Sequence, residues 1–351
     1  MIPPGETIGI LGGGQLGRML AIAAAQLGYR CHIFAPEPDS IAAEVSAAFT
    51  CAEWDDAEAM ERFAADCAVV TYEFENVPVA PLAALGETLL LPGRRALEIA
   101  QDRLNEKQFV AKLGGTTAPY AAVETAAQLA EAVTAIGAPG ILKTRRDGYD
   151  GKGQWRIGSA QEAQALELPG QPLIYEGFVD FSAEFSVIAC RTHDGEVRFW
   201  DSAHNEHEGG ILARSTVPAG PAIAAHIASA RELTAAIADA LDYVGVLTCE
   251  FFATDGGPVF NEMAPRVHNS GHWSIEGALT SQFENHIRAI CGLPLGDTAL
   301  CAERVEMRNL IGDAVHDWAA ILSDPASHLH LYGKAAARPG RKMGHVTRLV
   351  L

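Results

Sequence analysis

The pattern that most constrains the fold lies near the start of the chain. An apolar run, Thr7 to Leu11, is followed by Gly12-Gly13-Gly14-Gln15-Leu16-Gly17 and then a helical pattern from Arg18 to Leu27. Strand, glycine turn and helix in that order open a βαβ unit, with backbone N–H groups at a helix N-terminus facing an anion. A nicotinamide-dinucleotide domain would carry an acid at the end of its second strand. Here Cys31 to Phe34 runs into Ala35-Pro36, and Glu37 and Asp39 come only later, so the pattern supports a Rossmann-like half more than NAD. The next strand, Val69 to Tyr72, ends in Glu73, and ligands in open α/β sheets lie at the carboxyl ends of strands. Leu89 to Leu91 reads as the last strand of this unit, and Pro92-Gly93 marks its end.

A second glycine loop, Lys143 to Gln154, sits between strand-like runs Ala138 to Thr144 and Gln154 to Ile157. Gly148, Gly151 and Gly153 surround Lys152, which suits either a long turn or a cradle of N–H groups and one cation for a phosphate. It is not a Walker A loop, because Lys152 is followed by Gly153 and not by Ser or Thr. Arg94 to Gly114 reads as one amphipathic helix whose Gln101, Arg103 and Lys107 look like a solvated face. The run Leu173 to Val179 reads as an edge stretch able to offer backbone groups to an adenine, and Ala183 to Arg191 as a long strand with Glu184 at its start. His204, Glu206, His207 and Glu208 read as a polar, ligand-facing loop, and Ala222 to Leu241 as one long structural helix.

Two β-rich runs, Val244 to Ala253 and Pro258 to Ala264, flank Thr254-Asp255-Gly256-Gly257. A three-residue turn, Asp255 to Gly257, places Glu250 directly opposite Glu262, with Cβ atoms ~5 Å apart. Two bare carboxylates there would repel, and Mg²⁺ shared with phosphate oxygens is the natural counter-ion. Arg266 follows in the same run, where it could steady a developing anion.

A net charge of −18 argues against a nucleic-acid or acidic-membrane partner, although Lys334, Arg338, Arg341, Lys342, His345 and Arg348 cluster near the C-terminus. Interleaved with glycine and apolar residues, these cations suit a phosphate pocket. Seven scattered cysteines without a C-x-x-C pair read as reduced thiols. Met1 to Glu6 lack the pattern of a secretory leader and no apolar run reaches membrane length, so a cytoplasmic chain is expected.

Five stretches together, GILGGGQLGRM (Gly9 to Met19), TYEFENVP (Thr71 to Pro78), GYDGKGQ (Gly148 to Gln154), NEMAPRVHNSGHW (Asn261 to Trp273) and GRKMGHV (Gly340 to Val346), resemble the ATP-grasp superfamily. Within it they are most similar to the 5-(carboxyamino)imidazole ribonucleotide synthases, over the whole length. The resemblance implies a three-part α/β and α+β architecture: a Rossmann-like domain over 1–97, an ATP-grasp domain over 98–297 with a lid at about 115–175, and a small β-rich C-terminal domain over 298–351. It implies ATP-dependent carboxylation of 5-aminoimidazole ribonucleotide with bicarbonate through carboxyphosphate, in purine biosynthesis, and a homodimer.

By the same resemblance, ATP would contact Arg103, Lys143, the loop Gly148, Tyr149, Asp150, Gly151, Lys152, Gly153 and Gln154, the run Glu176, Gly177, Phe178 and Val179, and Glu184, His207, Asn261 and Glu262. One or two Mg²⁺ ions would sit on Glu250 and Glu262. The ribonucleotide would meet Gln15, Leu16, Glu73 and Asn269, with its phosphate on Lys334, Arg341 and Lys342. Arg266, Lys143, Asp150 and His268 are the candidate catalytic residues. The nearest alternative is another ATP-grasp ligase, such as a formate-dependent glycinamide ribonucleotide transformylase.

Overall fold

The computed structural model describes residues 1–148 and 153–351, so Tyr149, Asp150, Gly151 and Lys152 lie outside the described residues. The N-terminal unit is a parallel sheet of β1 (Thr7–Leu11), β2 (Arg30–Ala35), β3 (Ala48–Cys51) and β4 (Val69–Tyr72), in the order β3-β2-β1-β4. Its central strands are apolar and buried, as strands covered on both faces must be. The stretch expected as a further strand, Leu89 to Leu91, contributes only a single bridge, Leu90 to Val70. The helix Gln15–Gln26 covers one face through Leu16, Met19, Leu20, Ala23 and Ala24.

A second, antiparallel sheet follows, of β5 (Tyr120–Val123), β6 (Gly140–Thr144), β7 (Gln154–Ile157) and β8 (Leu173–Gly177), in the order β5-β8-β6-β7. The helix Ala126–Ile136 packs on it through Leu129, Ala132 and Val133, and its start is fixed by a capping box of Thr125 and Gln128. The run predicted as an edge is therefore interior: β8 lies between β5 and β6, and only residues beyond Gly177 leave the sheet.

The third sheet contains β9 (Ala183–Arg191), β10 (Val197–Phe199), β11 (Ala203–Glu208), β12 (Ile211–Val217), β13 (Gly245–Thr254), β14 (Gly257–Ala264), β15 (Arg304–Ile311), β16 (Ser327–Leu331) and β17 (Lys342–Val350). Its order is β14-β13-β9-β11-β12-β15-β17-β16, with β10 on β9, so strands from 298–351 continue the sheet through the β12–β15 pairing. The residues predicted as a polar loop, His204 to Glu208, fall in β11, whose Asn205 and His207 line a pocket with Glu184 and Glu250 while the ladder satisfies the backbone. The predicted long helix is broken into Pro221–Ala224 and Ile227–Ala240. The segment 94–114 is likewise two helices, Arg94–Ala100 and Arg103–Lys112, because the Asp102 carboxylate accepts from the Leu104 and Asn105 N–H groups and starts a new helix.

Candidate active site

The carboxylate hairpin joins β13 and β14, and Glu250 does pair with Glu262. The turn differs from the predicted one. It is the two residues Asp255-Gly256, and Asn261 forms a bulge that brings the register back before Glu262. Burial raises the Glu250 carboxyl to about 7, helped by the Glu262 charge. Burial also acts to raise Glu262, but the Arg103 guanidinium, 2.8 Å from its Oε2, more than offsets that and holds it low. Oε1 of Glu250 is buried with no hydrogen-bond partner. A buried acid pair with an orphaned oxygen fits Mg²⁺, which takes oxygen ligands and completes its shell with water and phosphate. Beside it, His207 Nδ1 lies 2.8 Å from Glu184 Oε2, and Asn205, Phe251, Phe252 and Asn261 close the same pocket.

In the second sheet, Lys143 lies one residue before the end of β6, on the face that Glu176 of β8 shares, because Ile141 pairs with Glu176 and side chains two apart lie on one face. The Lys143 ammonium is 3.0 Å from Glu176 Oε2, and Lys107 approaches the same oxygen at 3.3 Å. Lys107 is 1% exposed, so the predicted solvated face is instead built into the site, and the neighbouring Glu106 accepts the Met263 N–H at 2.7 Å. Burial raises the Glu106 carboxyl to about 8. Arg145 clamps Asp102 through two N–H groups at 3.1 and 2.7 Å, and Arg103 donates to the Gly148 carbonyl at 3.2 Å. The chain leading into the glycine loop is thus tied to the helix that supports the carboxylates. At the loop's far end the Gly153 carbonyl accepts from the Thr144 N–H, and Gln154 pairs with Lys143. Beyond β8, the Gly177 and Phe178 N–H groups already donate to Pro119 and Pro139 carbonyls. Phe178 is exposed beside Arg156.

The first glycine loop is anchored from within the chain. Glu73 accepts the Gly14 N–H at 2.8 Å and the Gly17 N–H at 3.2 Å, so its own carboxylate takes the anion position at the helix N-terminus. Gly12, at φ 112°, cannot carry a side chain, since a Cβ would meet Glu73 Oε1 at 2.6 Å. The Leu16 side chain is in the core, which leaves only its backbone to meet a substrate. Arg266 donates to Glu75 at 2.6 Å, His268 Nδ1 accepts from the Ser270 N–H, and Asn269 exchanges two amide bonds of 2.9 and 2.7 Å with Asn309 of β15.

The C-terminal cations divide. Lys334 donates to the Lys342 carbonyl at 2.8 Å and its charge reaches Glu73, while the Lys342 charge reaches Glu250 and His268. Arg341 donates to the Ala336 carbonyl. His345 is a correction to the predicted cluster: it is fully buried against His330 and Tyr332, and burial drives it to the neutral form. Arg348 pairs outward with Asp324. Asp102, Glu106, Lys107, Arg145 and Glu75 were not picked out from the sequence. The only local signal among them is Asp102 as a helix cap.

A four-stranded sheet whose buried Lys143, together with Lys107 of the helix Arg103–Lys112, faces a carboxylate hairpin, set beside a parallel N-terminal unit, defines an ATP-grasp ligase. Residues 108–283 match the profile of the ATP-grasp domain, 5–101 that of the ribonucleotide synthetase preATP-grasp domain, and 306–350 that of the phosphoribosylaminoimidazole carboxylase C-terminal domain. The chain is 52% identical over 355 residues to the N5-carboxyaminoimidazole ribonucleotide synthase of Brucella melitensis, covering 99% of this chain and 97% of that one. Among solved structures it is similar to the synthetase of that name from Thermus thermophilus, at 48% identity and TM-score 0.90, covering 97% of this chain and 93% of that one. An Aspergillus clavatus synthase in complex with ADP and 5-aminoimidazole ribonucleotide matches at 32% identity and TM-score 0.87, covering 98% and 94%. The chain belongs to the N5-carboxyaminoimidazole ribonucleotide synthase family.

Proposed function

We propose that the chain joins bicarbonate to the amine of 5-aminoimidazole ribonucleotide, converting ATP to ADP and phosphate, as a step of purine biosynthesis. The observation that carries this reading is the Glu250–Glu262 pair, opposed in register and facing Lys143 and Arg103. Bicarbonate attacks the γ-phosphate and forms carboxyphosphate. Its carboxyl group, or the CO₂ released from it, then passes to the amine, and phosphate leaves.

A magnesium ion held by Glu250 and Glu262 would neutralise the phosphate oxygens. Lys143, held by its ion pair with Glu176, supplies a fixed cation to the transferring group. Glu184 and His207 complete the ATP pocket with Asn261. Gln15, Glu73 and Asn269 take the ribonucleotide, with its phosphate on Lys334, Arg341 and Lys342. Arg266 steadies the carboxylated intermediate. Of the two candidates for taking the amine proton, His268 is the weaker. Its Nδ1 accepts from Ser270 and its ring is held neutral by burial, which leaves an Nε2–H donor. Asp150 is therefore assigned the proton. A cytoplasmic homodimer is the expected form, and light scattering of the purified protein tests its mass.

ADP release assayed with each amine and each small acid tests the reaction. Turnover that requires bicarbonate and 5-aminoimidazole ribonucleotide is expected. Turnover that instead requires formate and glycinamide ribonucleotide would replace this reading with that of the sister ligase.

A further inference from the structure

Arg266 is not held by the residues around it in sequence. Its Nη2 donates to Glu75 Oε2 at 2.6 Å, a charge-assisted bond across 191 positions, and its Nη1 donates to the Val267 carbonyl at 3.0 Å. Both partners are largely shielded, with side chains 15% and 28% exposed. Glu75 is itself fixed, because the Gln101 amide donates to its carbonyl at 2.9 Å and to that of Val77 at 2.7 Å. It stands two residues beyond Glu73, the carboxylate that closes the first glycine loop. Arg266 stands four residues beyond Glu262 and two before His268.

We infer that Glu75 is a positioning residue for carboxyl transfer: it sets the direction of the Arg266 guanidinium and ties it to the loop that takes the ribonucleotide. This rests on the function proposed above and on the role of Arg266 within it. A guanidinium on a long, rotatable stem stabilises a short-lived anion only if its fork is aimed before the anion forms. The Val267 carbonyl fixes one end of that fork, and Glu75 fixes the other from a different part of the chain. Because Glu75 stands two residues from Glu73, a ribonucleotide seated beside Glu73 meets an arginine already placed.

The test is a double-mutant cycle on the intact protein, using Glu75→Ala, Glu75→Gln, Arg266→Ala and Glu75→Ala/Arg266→Ala, with steady-state kinetics in ATP and in 5-aminoimidazole ribonucleotide and with thermal melts. Glu75→Ala is expected to lower kcat ~10- to 100-fold while KM for ATP stays within ~2-fold, the scale for residues that orient a catalytic group. Glu75→Gln, which keeps an acceptor, recovers part of the loss. In the Arg266→Ala background, Glu75→Ala changes kcat by less than ~2-fold, because there is no guanidinium left to aim. Full additivity, or a lower Tm with unchanged kcat, overturns the inference and makes the pair a structural clamp. Wild-type protein without turnover dependent on bicarbonate and aminoimidazole ribonucleotide overturns the functional reading itself, a result visible before any variant is made.

Discussion

Glu176 is a buried carboxylate on which two lysines converge. It is 4% exposed, and its Oε2 lies 3.0 Å from the Lys143 ammonium and 3.3 Å from that of Lys107. Glu176→Gln keeps shape and removes the carboxylate that pairs with both lysines, leaving two buried cations beside each other. Breaking a buried ion pair from one side costs about 3–5 kcal/mol, equivalent to a Tm drop on the order of 10 °C. The deficit has a defined pH dependence. Burial already lowers the Lys143 pKa, with Glu176 opposing it, so without the carboxylate the pKa falls further. A base whose folded pKa lies below its unfolded value binds fewer protons when folded, so stability rises with pH. The deficit is therefore largest near pH 6 and shrinks as pH climbs toward the unfolded lysine value of about 10.4. Urea melts of wild type and variant from pH 6 to 9.5 measure it, and Lys107→Met added to Glu176→Gln should recover part of the loss. A variant as stable as wild type at pH 6, or a deficit that does not change with pH, would refute the buried-triad account.

Other consequences can be checked on the same protein. Glu250→Gln and Glu262→Gln should each abolish ribonucleotide-dependent ADP release while circular dichroism and Tm show a retained fold. Glu73→Ala strands the Gly14 and Gly17 N–H groups, so it should cost about 1–3 kcal/mol in urea and raise KM for the ribonucleotide with little change for ATP. Gly140→Ala would drive a Cβ into the Tyr175 ring hydroxyl and to 2.7 Å from the Glu176 carbonyl, between β6 and β8. A loss of about 1–3 kcal/mol is expected, read as faster amide exchange across the lid strands.

The sequence was most legible where periodicity and backbone chemistry decide the outcome. β1, β4, β7 and β9 have the bounds that their patterns imply. The Glu250–Glu262 pairing was reached through the wrong turn: the real turn is one residue shorter, and the bulge at Asn261 restores the register. A bulge leaves little trace in sequence, because it is a feature of the pairing between two strands and not of a local pattern in either. β11 was illegible for a related reason. Its Asn205 and His207 are polar because they line a pocket, and its Glu206 because it pairs with Arg214, so the strand loses the alternation that identifies strands. Lys107 looked solvated because burial of a lysine depends on an acid 69 positions away, which no local pattern reveals.

The stretch Asn261 to Trp273 shows why a motif can be specific without each residue touching substrate. Asn261 makes the bulge, Glu262 meets Arg103, Arg266 holds Glu75, and Asn269 locks to Asn309 of β15. His272 and Trp273 are fully buried, and His272 packs 4.8 Å from His345 of β17. Thirteen residues thus connect the proposed metal pair, the N-terminal turn and the strand that begins with Lys342. Burial keeps His268, His272 and His345 neutral, so none of them adds positive charge at neutral pH. In the proposed reading the ribonucleotide phosphate rests on Lys334, Arg341 and Lys342, the last of which begins the strand that His272 packs against. On that reading, residues of the motif that never meet a ligand would still act on substrate affinity, by fixing where Lys342 stands.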